Sequence, residues 1–503
     1  MKKIYSLALF FLFTHFFICQ QIVPPTLLWQ KVMLTGNNDR VVDIVETSDS
    51  GYIVIGSTDT SPGALPDCRV TRFDSNGNIV WDKTFGGTGR EFCGKIIKTN
   101  DGNYLIMGSS TSTNGTVGPH PDTNLIWVYK IDGAGNLLWT KNYNGKYATK
   151  ALLVSDGYVL VGIATVSNSS DVRVFKISFD GTLIWTKSYG GSGDDEGVSI
   201  VPTPDNGYMV YGQTYSNNGI ISGNHGQLDG WIIKLDAAGN LLWNKTMGGS
   251  GFEYAIDSLR LDDGYVFWGT TSSMDGDLAG TAVDNDADFW IFKTDFNGNI
   301  IWQKKIGSNY YENYSFGGIR KTSDNNLLVV GTVSNGNKTV YESGYHGASD
   351  IWFLKFDQSG NMLWKKCYGG GSYDTSGGFI EDSNGNIVFV GGTNSVDGDL
   401  AGSGKTTANE DSWTVKLNLE TYLSTRDKDL GNAAIRIYPN PAKDHIAIIS
   451  PAQVLEIKVL TSAGQFLFKT DQSDIDISHL KKGVYYLQIQ TNSGIIHGKF
   501  LKD

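Results

Sequence analysis

The sequence predicts an all-β protein: seven four-stranded repeats followed by a small C-terminal β-sandwich. Three observations carry this reading. One tryptophan-containing phrase recurs seven times, apolar residues inside each copy alternate with period two, and the phrase stops after Leu419. Composition agrees. The 503 residues include 62 Gly, 13 Trp, 24 Tyr and 23 Phe, with only 18% charged, a mix that suits short strands and tight turns.

The phrase runs Trp-x-Lys, a Gly-rich turn, an apolar run, Asp-Gly-Tyr, a second apolar run, a loop, Asp-x-Trp-x-x-Lys, then Asp-x-x-Gly-Asn. Its leading tryptophans are Trp29, Trp81, Trp139, Trp185, Trp243, Trp302 and Trp364. A second tryptophan recurs as Trp127, Trp231, Trp290, Trp352 and Trp413, with Arg69 and Arg173 in the two remaining units. In the fourth unit, residues 197–202, 208–214, 229–235 and 240–245 read as four strands. Asp205-Asn206-Gly207 and Ala238-Gly239-Asn240 supply the positive φ of tight hairpins between them. Four antiparallel strands per repeat is the pattern of propeller blades. The leading tryptophans are expected to pack between blades, and the Asp-x-x-Gly aspartates to accept backbone N–H groups within their turns.

Counting strands predicts how the ring ends. Residues 27–31 read as a fourth strand with no first three before it, and 411–416 as a third strand with no fourth after it. The N-terminal strand is therefore expected to complete the last blade and leave no free edge. The phrase resembles the bacterial β-propeller repeat families over roughly residues 27 to 419.

At the N-terminus, Lys2 and Lys3 precede an apolar stretch from Ile4 to Ile18, which reads as a signal peptide over residues 1–19. Cleavage after Cys19 would leave Gln20 at the front of a propeller spanning 20–420, and an alternative uses Cys19 as a lipid attachment site. Cys68, Cys93 and Cys367 fall in three different repeats and read as buried or incidental thiols, not as a disulfide framework. A net charge of −11 argues against nucleic acid and against a charged membrane surface as partners.

Residues 421–433 read as a polar linker, and 434–503 as a separate small β-sandwich. Within it, Tyr438-Pro439-Asn440-Pro441, Gly464, Gly483-Val484-Tyr485 and the basic end from Lys499 to Lys502 occur in order. This block resembles the C-terminal sorting domain of type IX secretion substrates. The resemblance implies engagement with the type IX machinery, passage across the inner and outer membranes of a Gram-negative bacterium, and release or display at the cell surface.

Long loops join second to third strands, so the face bearing them is the expected binding face. Its candidate residues are Tyr311, Tyr345, Tyr373, Asp275 and Asp397, the two aspartates opening copies of Asp-Gly-Asp-Leu-Ala-Gly. Ten residues after six of the leading tryptophans stand Asp39, Glu91, Asp195, Glu253, Glu312 and Asp374. Six carboxylates at one ring position suit a Ca²⁺ ion at the channel mouth, the one cofactor suggested. The structural alternative is that each accepts hydrogen bonds from the next blade's backbone. His120, His225 and His346 lie in loops of separate blades, which disfavours a shared metal.

No Gly-x-Ser-x-Gly, His-Glu-x-x-His or phosphate-loop motif occurs. The Asp-x-x-Gly-x-x-x-Trp turn resembles the repeat of quinoprotein dehydrogenases, but those have eight blades. The expectation is a monomeric, exported binding propeller for a glycan or protein, with a glycoside hydrolase as the alternative.

Overall fold

A computed structural model describes residues 25–34, 39–59, 65–120, 125–166, 168–281, 287–307, 312–334, 344–418, 436–450, 453–461, 466–491 and 494–502. The signal-peptide, Tyr311, linker and Gly464 expectations fall outside these residues. Among them there is no α-helix, only strands and three short 3₁₀ turns, so no helix long and apolar enough to cross a membrane is present. The chain divides into two compact units, Pro24–Glu420 and Met1–Val23 with Thr421–Asp503.

Seven four-stranded antiparallel sheets make up the described part of the first unit. Their first strands are Asp39–Glu46, Glu91–Lys98, Tyr147–Val154, Asp195–Pro202, Glu253–Arg260, Glu312–Lys321 and Asp374–Glu381, here numbered as blades 1 to 7. Blade 4 continues with Tyr208–Thr214, Asp229–Leu235 and Leu241–Met247, within two residues of the strands read from the sequence. First strands of consecutive blades lie side by side, and that of blade 7 lies against that of blade 1. Each first strand carries a bulge near its middle, at Val41/Asp43 in blade 1 and Ala255/Asp257 in blade 5, for example. A bulge bends the strand and raises its twist.

Blade 7 takes its fourth strand from the other end of the unit. Thr26–Met33 pairs antiparallel with Asp411–Asn418, placing Trp29 opposite Lys416. The same pairing recurs inside the other blades, as Trp243 opposite Lys234 and Trp302 opposite Lys293. The register follows from the repeated phrase, since each pair joins Trp-x-Lys to Asp-x-Trp-x-x-Lys.

Two repeated contacts explain the phrase. Third-strand lysines reach the turn between first and second strands, giving Lys130–Asp101, Lys234–Asp205 and Lys293–Asp263, each at 2.7 Å. Asp205 is thus tied down, its carboxyl drawn down to about 2 by the hydrogen bond from Lys234 and another from Thr203. Fourth-strand tryptophans pack on the Asp-x-x-Gly turn of the following blade. Trp81 Nε1 donates to Gly133 O at 3.1 Å and Trp302 Nε1 to Gln358 O at 3.1 Å. The turn aspartates accept N–H groups as expected, Asp236 from Ala238 and Asn240 at 2.9 and 2.7 Å.

The cysteine expectation is corrected. Cys68 in blade 1 and Cys93 in blade 2 form a disulfide, with Cα atoms 5.5 Å apart, a separation such a bond requires. Lying in different repeats does not keep them apart, because neighbouring blades pack face to face. Cys367 is a buried free thiol.

In the second unit a three-stranded sheet holds Arg436–Tyr438, His445–Ile449 and Asp474–Asp476. A four-stranded sheet holds Phe466–Thr470, Val454–Thr461, Gly483–Thr491 and Gly494–Lys502, in that order across it. Ile446 and Ile448 from one sheet share an apolar core with Ile457, Leu487, Ile489 and Phe500 from the other. Alternate residues of each strand supply that core, as period-two patterning requires.

Candidate functional site

The ring acids open the first strands and are fully buried. Asp39, Glu91, Asp195, Glu253 and Asp374 are each 0% exposed; the side chain of Glu312 lies outside the described residues. Glu91 accepts from Gly87 N at 3.0 Å, Ser110 Oγ at 2.7 Å and Ser112 Oγ at 2.6 Å. Asp374 accepts from Gly370 N and Ser395 Oγ, both at 2.7 Å. Glu253 accepts from Gly249 N at 3.1 Å and Thr271 Oγ1 at 2.7 Å. The partners are therefore the link four residues upstream and the acid's own second strand, not the next blade's backbone. Glu91, Asp195, Glu253 and Asp374 thus fasten the link to the blade each opens.

Across the interfaces of blades 1 with 2, 3 with 4, 4 with 5 and 6 with 7, a second acid meets the first. It is the aspartate near the start of a third strand, two residues before the recurring Trp or Arg, and the sequence reading had not paired it. Burial, followed by a hydrogen bond and charge from Glu91, pushes the Asp67 carboxyl up to about 6. Burial lifts Glu253 to about 7, with Asp229 adding to the effect. Burial lifts Asp350 to about 7 as well, against His346 and with Asp374. The link glycine makes room for such a pair: a Cβ on Gly190 would lie 2.7 Å from Asp195 Oδ2 and 2.8 Å from Asp171 Cγ. Two of the acids carry a histidine four residues upstream, His225 Nδ1 at 2.7 Å from Asp229 and His346 Nδ1 at 3.2 Å from Asp350. Blade 1 answers differently, with Arg69 at 3.1 Å from Asp39. Among the described residues no group of three or more His, Cys, Asp or Glu side chains is arranged to hold a metal ion.

Both Asp-Gly-Asp-Leu-Ala-Gly loops brace the links too. Asp275 Oδ1 accepts from Ser250 N at 2.7 Å, Asp397 Oδ1 from Gly371 N at 2.6 Å, and Leu278 and Leu400 are buried beneath. Asp275 and Asp397 remain exposed while doing so.

Loops and links converge on one face, and several of its exposed side chains are aromatic. Tyr373 is 59% exposed, Tyr215 48% and Phe92 41%. Phe252 and Tyr254 stack in parallel, 6.2 Å apart at 9°, and Arg90 lies over Phe92. Tyr345 departs from expectation: it is half-buried, packs against the core between blades 5 and 6, and donates its hydroxyl to Ala348 O at 3.3 Å. Phe92 and Tyr147, the latter 38% exposed, were missed by the sequence reading. The available signal was position, because Phe92 and Tyr254 directly follow ring acids. Nearby, Gln213 donates to Glu196 at 2.9 Å and accepts from Ala255 N at 3.0 Å, tying blade 4 to blade 5.

Deeper in the channel, the bulged first strands meet in a charged network. Asp257 of blade 5 accepts from Lys150 of blade 3 at 2.5 Å and from Arg320 of blade 6 at 2.9 Å. Lys150 also donates to Ser199 Oγ at 2.9 Å, and Ser199 meets Ser258 at 2.7 Å. A serine beside a lysine can be a nucleophile and its base. Here both hydroxyls are buried and the amine is held by a carboxylate, so the arrangement works as a radial tether between blades.

In the second unit Tyr438 is 71% exposed, with Pro439, Asn440 and Pro441 exposed after it. Tyr485 stacks on Phe500 at 5.5 Å and donates to Lys481 O at 2.7 Å. Gly483 opens its strand with φ of 152°. Lys499 is half-buried and Lys502 buried.

These features define a β-propeller protein with an appended β-domain. Residues 436–503 match the family described as secretion system C-terminal sorting domain. The chain therefore carries a type IX sorting domain, and is a secreted or cell-surface protein. No curated protein matches it in sequence. Among solved structures it is similar to the Pan2 WD40 domain of Neurospora crassa, at 9% identity and TM-score 0.44 over 78% of this chain and 95% of that one. It is also similar to Sqt1 from Chaetomium thermophilum, at 12% and 0.41 over 78% and 98%. Drosophila Plexin A in complex with Semaphorin 1b matches at 7% and 0.43 over 79% and 88%.

Proposed function

We propose that the propeller is a monomeric binding module, and that its ligand is an extracellular glycan or protein held on the loop face. One observation carries the reading: aromatic residues stand exposed on that face, while the described ring acids are buried. Tyr373, Tyr215 and Phe92 offer broad, weakly hydrated surface on a rigid base, which suits stacking on sugar rings or on a protein hot spot. A glycoside hydrolase needs two solvent-facing carboxyls, and the described ring acids are not available for that. In this reading the ring is a closed seven-bladed propeller over residues 20–420, completed by its N-terminal strand. The two C-terminal sheets form a sandwich over 434–503, and a signal peptide over 1–19 starts the route across both membranes.

A glycan array probed with the exported protein, with a hydrolase screen alongside, tests this. Binding that weakens in Tyr373→Ala and Phe92→Ala at unchanged melting temperature is the expected result. Turnover of a glycan, or binding indifferent to both substitutions, would remove it. Asp205→Lys is a poor control for the opposite face because it breaks the pair with Lys234; Asn76→Ala, in another exposed turn, is better.

A further inference from the structure

The sorting domain opens with Tyr438-Pro439-Asn440-Pro441 and closes with the strand Gly494–Lys502, and the Asn440 side chain joins the two. Its Oδ1 accepts from the backbone N–H of Leu501 at 2.9 Å, and its Nδ2 donates to the carbonyl of Lys499 at 3.3 Å. Ala442 N adds a bond to Leu501 O at 2.8 Å. Gly494–Lys502 is the last strand of its sheet, so its outer N–H and C=O groups would otherwise face solvent as an open edge. The carboxamide serves there as a one-residue strand partner, offering a donor and an acceptor at the spacing the edge presents.

Exposed apolar and aromatic side chains stand on the segments that this clamp joins and on the strand beside them. Leu501 is 40% exposed and its cross-strand partner Val484 41%, both pointing away from the core. Tyr438, two residues before the clamp, is 71% exposed. Asn440 is itself exposed, and the fold of the domain rests on the apolar core around Ile457, Leu487 and Phe500. Hydrogen bonds made at an exposed position add little net stability. Holding these two segments together therefore does more for presentation than for folding.

We propose that Asn440 is a positioning residue of the sorting signal. It pins the opening loop to the terminal strand, so that Tyr438, Val484 and Leu501 are offered to the type IX export machinery as one surface.

The test uses the full chain in a type IX-secreting host. It measures the fraction of protein that leaves the periplasm, together with the thermal unfolding of each purified variant. A chain lacking residues 434–503 sets the floor. Asn440→Ala is expected to lower export severalfold while the domain still unfolds cooperatively. Asn440→Asp keeps the acceptor for Leu501 N and loses the donor to Lys499 O, and is expected to fall between. Tyr438→Ala, which alters an exposed side chain, should lower export with an unchanged melting curve, and it decides the matter if Asn440→Ala does not fold. Leu455→Ser and Phe466→Ser, exposed apolar positions away from the clamp, should export normally. Wild-type export of Tyr438→Ala and of a folded Asn440→Ala, or equal loss in the two Ser variants, overturns the proposal.

Discussion

Trp29 packs on Gly77: a Cβ built on that glycine would lie 2.9 Å from indole Cε3, and Trp29 Nε1 donates to Ser75 O at 3.2 Å. Trp29 belongs to the sheet of blade 7 and Gly77 to a turn of blade 1. Trp302 stands in the same relation to Gly360, at 2.8 Å, between blades 5 and 6. Only glycine serves at these turn positions. Gly77 has φ of 78° and Gly360 of 81°, and any side chain would strike the ring. The first and last segments of the propeller thus meet through the contact that joins its interior blades.

Trp29→Ala should therefore cost what the same change costs at an interior interface. Full burial of a tryptophan is worth about 3–5 kcal/mol on truncation, and these rings are only half-buried, so about 2 kcal/mol is expected. Denaturant unfolding of Trp29→Ala beside Trp81→Ala measures it. If Trp29→Ala is neutral while Trp81→Ala is destabilising, the N-terminal strand contributes no interface of this kind.

How far the sequence could be read follows from what repetition encodes. A repeated phrase fixes in-blade register, and the strands of blade 4, the Trp–Lys pairing and the pairing of Thr26–Met33 with blade 7 all follow from it. It does not encode which side chains meet across an interface. Asp67 and Glu91 stand 24 positions apart (91 minus 67) in different copies, and nothing in either copy shows that they share a burial site. Cys68 and Cys93 were misjudged for the same reason. On the loop face, Tyr345 was read as exposed because its loop is long, yet it is half-buried and packs against the core between blades 5 and 6.

The Cys68–Cys93 pair makes a countable prediction. With residues 1–19 removed, three cysteines remain, and the denatured, unreduced chain should react with a thiol reagent once, at Cys367. Three reactive thiols would show that the cross-link does not form. Cys93→Ala should then lower stability by about 3.5 kcal/mol, the chain-entropy value for a loop of this size. Its effect should vanish when wild type and variant are compared under reducing conditions, apart from the cost of the small cavity.

The buried acids set opposite pH trends, and their sum should be visible. Glu253 is raised from 4.5 to about 7 by burial and by Asp229. The folded state then holds its proton where the unfolded chain has lost it, so stability falls as pH rises from about 4.5 to about 7. Asp350, raised to about 7, acts in the same direction. Asp257 behaves oppositely: burial raises its carboxyl, but Lys150 and Arg320 outweigh burial and hold it well below the usual range. Its stabilisation is complete above the ordinary aspartate value and is lost as the medium becomes strongly acidic. The melting temperature should therefore peak near pH 5 and decline towards pH 8. Glu253→Gln isolates one limb. The amide oxygen can still accept from Gly249 N or Thr271 Oγ1, and the neutral side chain removes the charge that Asp229 opposes. This variant should gain stability over wild type at pH 8, match it at pH 5, and leave the acid limb unchanged. A decline between pH 5 and pH 8 that is equally steep in Glu253→Gln would show that Glu253 is ionised in the folded state throughout that range.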